Sequence, residues 1–194
     1  MEGSAIMNVT NYTRRSFLTL LGLTGLTFKA NLAGQVSQTK GIATGTGKLV
    51  QPNEGERYLI FGRNAPVTIK VDKSNDGVNS ISFCTEDIVP GDAIPIHKHL
   101  KEDEIIFIHR GEGTFTLDDQ HISVRSGSTA FVPRGVWHGL KNTGQDIITM
   151  VFGYNPSGFE AYFREIGLKP GDKWVPKTKE ELDAIDLKFN IMYK

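Results

Sequence analysis

GDAIPIHKHLKEDEIIFIHRG, residues 91–111, is answered after fifteen residues by GSTAFVPRGVWHGLKN, residues 127–142. The first stretch carries His97, His99 and Glu104 and the second carries His138. Three imidazoles and one carboxylate are the kind of donor set that holds a divalent transition metal. His97 and His99 are two apart, so on a strand both rings leave the same face, with Cα atoms roughly 6.5–7 Å apart; on a helix they would diverge. EIIFI, residues 104–108, is rich in β-branched and aromatic residues, which makes a second strand the source of the carboxylate. Leu100 to Asp103 are polar enough for a short turn between the two, and Gly111 and Gly113 mark a bend or change of register. His138 follows Pro133-Arg134-Gly135, a turn that puts it at the start of a further strand. Three segments thus converge on one ligand set.

Outward from this core the chain reads as many short strands. YLIFG, VTIKV, the ISF run before Thr85, EIIFI, TFTL, ISV, TAFV, WHGL and IITMVFG are separated by Gly, Asn and Asp clusters. Asn75-Asp76-Gly77 and Asp118-Asp119-Gln120 read as hairpin turns, and no internal repeat is evident. Both faces of EIIFI are apolar, so its outer face calls for cover by a second sheet or a partner subunit. Phe159, Tyr162, Phe163 and Ile166 form one helical stripe capped by Gly167, and Thr178 with Glu181 forms a capping-box pattern ahead of Leu182, Ile185 and Phe189. This helical tail is expected to pack against the strands; a cover over an open mouth is the alternative. Cys84 is the one cysteine, with no disulfide partner, and is expected inside a strand. His109 has the opposite parity to Glu104 and should face outward, and His121 belongs to a turn cluster.

The two signature stretches resemble those of the cupin superfamily. Gly91, His97, His99, Glu104 and Gly111 meet the first signature, with the four-residue gap before the glutamate, and Gly127, Pro133, Gly135, His138 and Asn142 meet the second. The resemblance implies an all-β fold, a single cupin β-barrel of jelly-roll type over residues 55–155, with a short C-terminal helical extension over residues 156–194. It implies one divalent transition metal (Fe, Mn, Ni, Co, Cu or Zn) held by His97, His99, Glu104 and His138. Glu102 and Asp103 lie beside the ligands, but Glu104 alone has the right distance from Gly111, so those two are expected in a solvated turn. The tail, GFEAYFREIG at residues 158–167 and Lys188-Phe189-Asn190-Ile191, is similar to that of small bacterial cupins grouped with quercetin 2,3-dioxygenase. That similarity implies a dioxygenase taking O2 and a small aromatic or enolisable substrate, with Glu104 as catalytic base. Isomerase or lyase chemistry on a small polar acid would instead call for a basic residue in the pocket, and Lys98 and Arg134 are expected to point outward. Non-catalytic binding of a metal or ligand is the third reading. Phe83, Phe131, Met150, Phe152 and Tyr154 are candidates for pocket walls, their parity left open.

Thr13-Arg14-Arg15-Ser16-Phe17-Leu18 and the short apolar run after it resemble a twin-arginine export signal, expected over residues 1–34 with Met7 as an alternative start. Residues 35–54, rich in Gly, Thr, Gln and Lys, read as a flexible leader. The expected location is periplasmic or secreted, with no membrane anchor once the signal is removed. The whole chain is neutral, and without residues 1–34 it has 19 basic against 21 acidic residues, which gives no footprint for nucleic acid. The expected partners are a small-molecule substrate and a second copy of the chain in a homodimer.

Overall fold

Alternation of buried and exposed side chains organises the strands, as the repeat of two dictates. In chain order they are β1 (Glu56–Leu59), β2 (Pro66–Val71), β3 (Phe83–Ile88), β4 (Ala93–His99), β5 (Asp103–Arg110), β6 (Glu112–Leu117), β7 (Gln120–Arg125), β8 (Thr129–Val132), β9 (His138–Lys141), β10 (Ile148–Asn155) and β11 (Ile191–Tyr193), with helices α1 (Lys73–Asp76), α2 (Glu160–Ile166) and α3 (Lys179–Phe189). The computed structural model describes residues 47–60, 63–76 and 80–194. The expected export signal and the leader as far as residue 46 lie outside the described residues.

Two antiparallel sheets result, ordered β1-β2-β3-β10-β5-β8 and β11-β4-β9-β6-β7. This is the jelly-roll arrangement expected from the sequence, all-β with a short helical tail. Val67 and Ile69 on β2, Cys84 and Ile88 on β3, Ile106 and Ile108 on β5, and Ile148, Met150 and Phe152 on β10 bury their side chains in one core with Phe115 and Leu140 of the other sheet. Cys84 is buried in β3, as its place in an alternating strand implied.

Two local expectations change, and a third is narrowed from cover by a second sheet or a partner subunit to the partner alone. The β2–β3 connection contains the helical turn α1 where a hairpin turn was expected, and Gly77 lies outside the described residues. The tail does not end as helix. Asn190 takes a left-handed conformation (φ 55°) as the cap of α3, and the chain returns as β11, antiparallel to β4. The third concerns the outer face of β5. Ile105 is 48% exposed, and Phe131, directly opposite it on β8, is 64% exposed. Phe83 on β3 also points outward, so this face is covered by neither sheet.

Among the described glycines Gly153 leaves the least room for a side chain: an added Cβ would run into the carbonyl oxygen of Ser82. Backbone cannot yield there as the end of a flexible side chain would. Gly153→Ala is expected to destabilise the fold by about 2–3 kcal/mol, read as a lower urea midpoint with an unchanged slope.

Candidate metal centre

His97 and His99 project inward only because β4 changes phase. Its pairing with β9 shifts register between Ile94 and His97, a bulge at Pro95 and Ile96. Pro95 has no N–H to donate, which suits a position where the ladder is already broken. Ile94 therefore faces the interior on one side of the bulge, and His97 and His99 face it on the other. The Pro95 carbonyl accepts a hydrogen bond from His97 Nδ1 at 2.8 Å, which orients the ring and leaves Nε2 free as a donor to metal. His138 repeats the device with the Val136 carbonyl, 3.1 Å from Nδ1. It begins β9 directly opposite His97.

Glu104 comes from the other sheet. It lies on β5, opposite Val132 and Tyr154, at the phase it shares with buried Ile106 and Ile108. Its Oε2 lies 2.8 Å from His138 Nε2, in a hydrogen bond, and 3.4 Å from His99 Nε2, without hydrogen-bond geometry. One ligand atom from each of His97, His99, Glu104 and His138 lies within 4.8 Å of the others, and all four residues are buried.

Burial alone would raise the Glu104 carboxyl, but the hydrogen bond to His138 and the close His99 ring outweigh it and hold the group well below the usual carboxylate range. Burial, together with the neighbouring His138 and His99, pushes His97 down to about 3, so its ring is neutral. For His138, burial acts downward, and the Glu104 carboxylate overcomes it and raises the ring. An ionised carboxylate among buried imidazoles is the donor set a divalent cation takes, and such a cation would replace the inward proton of His138. Both nitrogens of His99 are buried without a hydrogen-bond partner, although the residue is only 2% exposed. A metal at the centre would employ Nε2. The residues therefore fit such an ion.

The surroundings divide into expected and unexpected. His109 is exposed, and His121 is exposed with its Nδ1 3.1 Å from Thr116 Oγ1. Arg134 points outward, hydrogen-bonding Asp103 through its backbone N–H and through its guanidinium at 2.9 Å, which ties the start of β5 to the turn before His138. Lys98 lies over the Trp137 ring, 4.4 Å from its centre. Glu102 differs from expectation: it is buried, not solvated, and its Oε2 has no partner. Among the open candidates Met150, Phe152 and Tyr154 face inward, and Phe83 and Phe131 face out.

A cavity of about 40 Å³ opens beside His97 and Glu104. Phe152, Tyr154, Phe159 and Tyr162 line it, so the tail covers the mouth by the same packing that was expected to be merely structural. Arg63 and Glu86 line it too, joined as an ion pair. Glu86 was legible in FCTEDI, where an acid sits at the phase of Cys84 and Ile88; Arg63 stands outside any strand and gave no signal. Burial raises the Glu86 carboxyl, against the opposing pull of Arg63.

Residues 84–154 match the cupin domain family model. Quercetin 2,3-dioxygenase of Bacillus subtilis is 30% identical over 136 residues, 69% of this chain and 39% of that protein. An oxalate-binding protein of Thermotoga maritima is 34% identical over 62 residues, 32% of this chain and 51% of that one. The chain spans about half the length of the curated relatives it matches. The crystal structure of a predicted oxalate decarboxylase from Thermotoga maritima superposes with a TM-score of 0.51 at 22% identity, over 56% of this chain and 99% of that one, a likeness of fold.

Two outcomes test the centre. Adding a saturating divalent metal should raise the thermal midpoint of the intact protein, since a ligand at a thousand times its Kd stabilises by about 4 kcal/mol. His99→Ala should abolish that rise and leave less than a tenth of the bound metal on elemental analysis. Arg63→Leu should cost about 3–5 kcal/mol at pH 7.5, because it strands Glu86 as a buried charge. A carboxyl whose folded value is raised loses stability as pH rises above its unfolded value, so this penalty should shrink as pH is lowered toward that value and Glu86 takes up a proton.

Proposed function

Given the cupin domain formed by residues 84–154, we propose that this chain is a metal-dependent dioxygenase acting on a small aromatic or enolisable molecule beside His97, His99, Glu104 and His138. The observation that carries the reading is the cavity itself: His97 and Glu104 line it together with aromatic and aliphatic side chains, and Arg63 and Glu86 add one polar pair. An apolar pocket with a few convergent polar groups is the usual form of a small-molecule site. Bound at the four residues, a divalent transition metal would supply Lewis acidity toward an enolate oxygen and redox chemistry toward O2.

The chain's own residues do the rest. Glu104, kept ionised by His138 and His99, is the group placed to take the enol proton. Tyr154 and Phe159 pack around His99, with ring centres 5.0 and 4.2 Å from it, and hold that imidazole in place. α2 and β11 keep bulk water from the reacting atoms.

A second reading, metal-dependent isomerase or lyase chemistry on a small polar acid, is favoured by one observation. Arg63 supplies the cationic group such a substrate needs, inside the cavity and not outside it as Lys98 and Arg134 are. The oxalate-binding relative supports the same direction. Export by a twin-arginine signal over residues 1–34, to the periplasm or beyond, belongs to the proposal. So does a homodimer through the outer face of the first sheet, where Phe83, Ile105, Phe107 and Phe131 are exposed.

Elemental analysis joined to O2 uptake decides between the readings. The dioxygenase expectation is stoichiometric metal, with O2 loss on adding 3-hydroxyflavone or a simple enolisable compound. Glu104→Gln should lower that rate at least a hundredfold, within the range of a lost acid–base group. Stoichiometric metal without O2 uptake, together with anaerobic turnover of a dicarboxylate, would establish the second reading in its place.

A further inference from the structure

The cavity beside the metal centre is too small for the substrate class its walls suggest. At about 40 Å³ it holds roughly three waters. A second pocket of about 380 Å³ lies against it, within the range of roughly 300–1,000 Å³ for small-molecule sites. Ile60, Tyr162, Ile166 and Tyr193 line both spaces, so the partition between them is made of side chains. At its centre Tyr193 Oη lies 3.0 Å from Tyr162 Oη, which donates to Asp186 Oδ1 at 2.8 Å. That short relay joins β11, α2 and α3.

The outer pocket is built differently from the inner one. Trp174 and Leu182 give it apolar walls, and its charged lining is mixed: Lys177, Lys179, Asp183 and Asp186, with Lys179 paired to Asp183. This suits a planar aromatic ring system that carries a carbonyl group, the apolar faces taken by the walls and the carbonyl oxygen by Lys177. The partition also touches the metal ligands. Tyr193 pairs with His97 across β11 and β4, and their ring centres are 5.8 Å apart. A group that passes Tyr193 therefore arrives at His97.

We propose that the outer pocket is the binding compartment for a planar aromatic substrate and that Tyr162 and Tyr193 form a gate through which its reactive oxygen reaches the metal centre. The proposal rests on the reading of His97, His99, Glu104 and His138 as the reaction centre. Rotation of Tyr193 about its side-chain bonds joins the two spaces. β11 need not leave β4, where three backbone pairs hold it. Tyr193 is the movable leaf, 41% exposed, whereas Tyr162 is packed between Phe159 and Phe189.

The test is binding of 3-hydroxyflavone to the full-length, metal-loaded protein without oxygen, beside binding of azide, which is small enough for the inner cavity. Leu182→Trp fills the outer pocket from a half-exposed position on α3, and it should weaken the flavone at least tenfold while azide binding and metal content stay unchanged. Trp174→Ala, which removes a wall instead of filling the space, should weaken the flavone as well, so a folding fault in one variant does not decide the matter. Tyr193→Phe keeps the ring and loses the hydrogen bond to Tyr162, and flavone association should become severalfold faster. Unchanged flavone affinity in both pocket variants would overturn the proposal, as would a parent protein that does not bind the flavone. Flavone binding that responds as expected, without O2 uptake, would sink the dioxygenase reading and leave the compartment standing.

Discussion

The contact between Glu104 and His138 is the point on which the two sheets depend. A carboxylate from β5 and an imidazole from β9 meet at 2.8 Å across an interior otherwise filled by Ile, Phe, Met and Leu side chains. A buried ionised group in such a place is tolerable only when its partners are present in the right geometry. The bulge in β4, the carbonyls of Pro95 and Val136 and the Asp103–Arg134 clamp all act to hold that geometry. The centre is therefore a property of both sheets together, and a shift of either would separate Glu104 from its imidazoles.

The C-terminal segment completes what the sheets leave open. α2 brings Tyr162 and Phe163 over the mouth, and β11 returns to pair with the strand carrying His97 and His99. One packing event thus buries an apolar stripe and closes the cavity, which is why structural and functional accounts of the tail converge. Closure has a consequence for chemistry. A dry, narrow space strengthens electrostatic interactions near Glu104 and limits what fits beside it. The larger pocket beyond Tyr162 and Tyr193 relieves that limit without opening the barrel.

Arg63 and Glu86 are a second polar pair in the same cavity, away from the four ligands. The pair places a guanidinium, balanced by a carboxylate, beside four residues that could hold a metal, and it is the feature that separates the two chemical readings. A guanidinium is shaped for a carboxylate, whereas the aromatic walls favour a planar ring system.

The ligand spacing and the strand alternation were legible in the sequence because both are local. His97 and His99 share a face by the repeat of two, Glu104 shares the phase of Ile106 and Ile108, and Thr178 with Glu181 forms the capping box expected of it. The stripe from Phe159 to Ile166 was equally plain as a helix face. Other features depend on contacts between distant segments. Glu102 is buried by packing that its polar neighbours do not announce, and the outer face of β5 stands exposed because no element of the second sheet reaches it. Arg63 meets Glu86 across 23 positions, and Tyr193 meets Tyr162 across 31. The sequence by itself determined the short strands, the grouping of His97, His99, Glu104 and His138 and the two helices of the tail, since each follows from periodicity or fixed spacing, and the jelly roll followed from the resemblance those spacings carry. Only the tertiary structure decided which residues close the cavity and how much room remains, because volume and burial arise where separate elements meet.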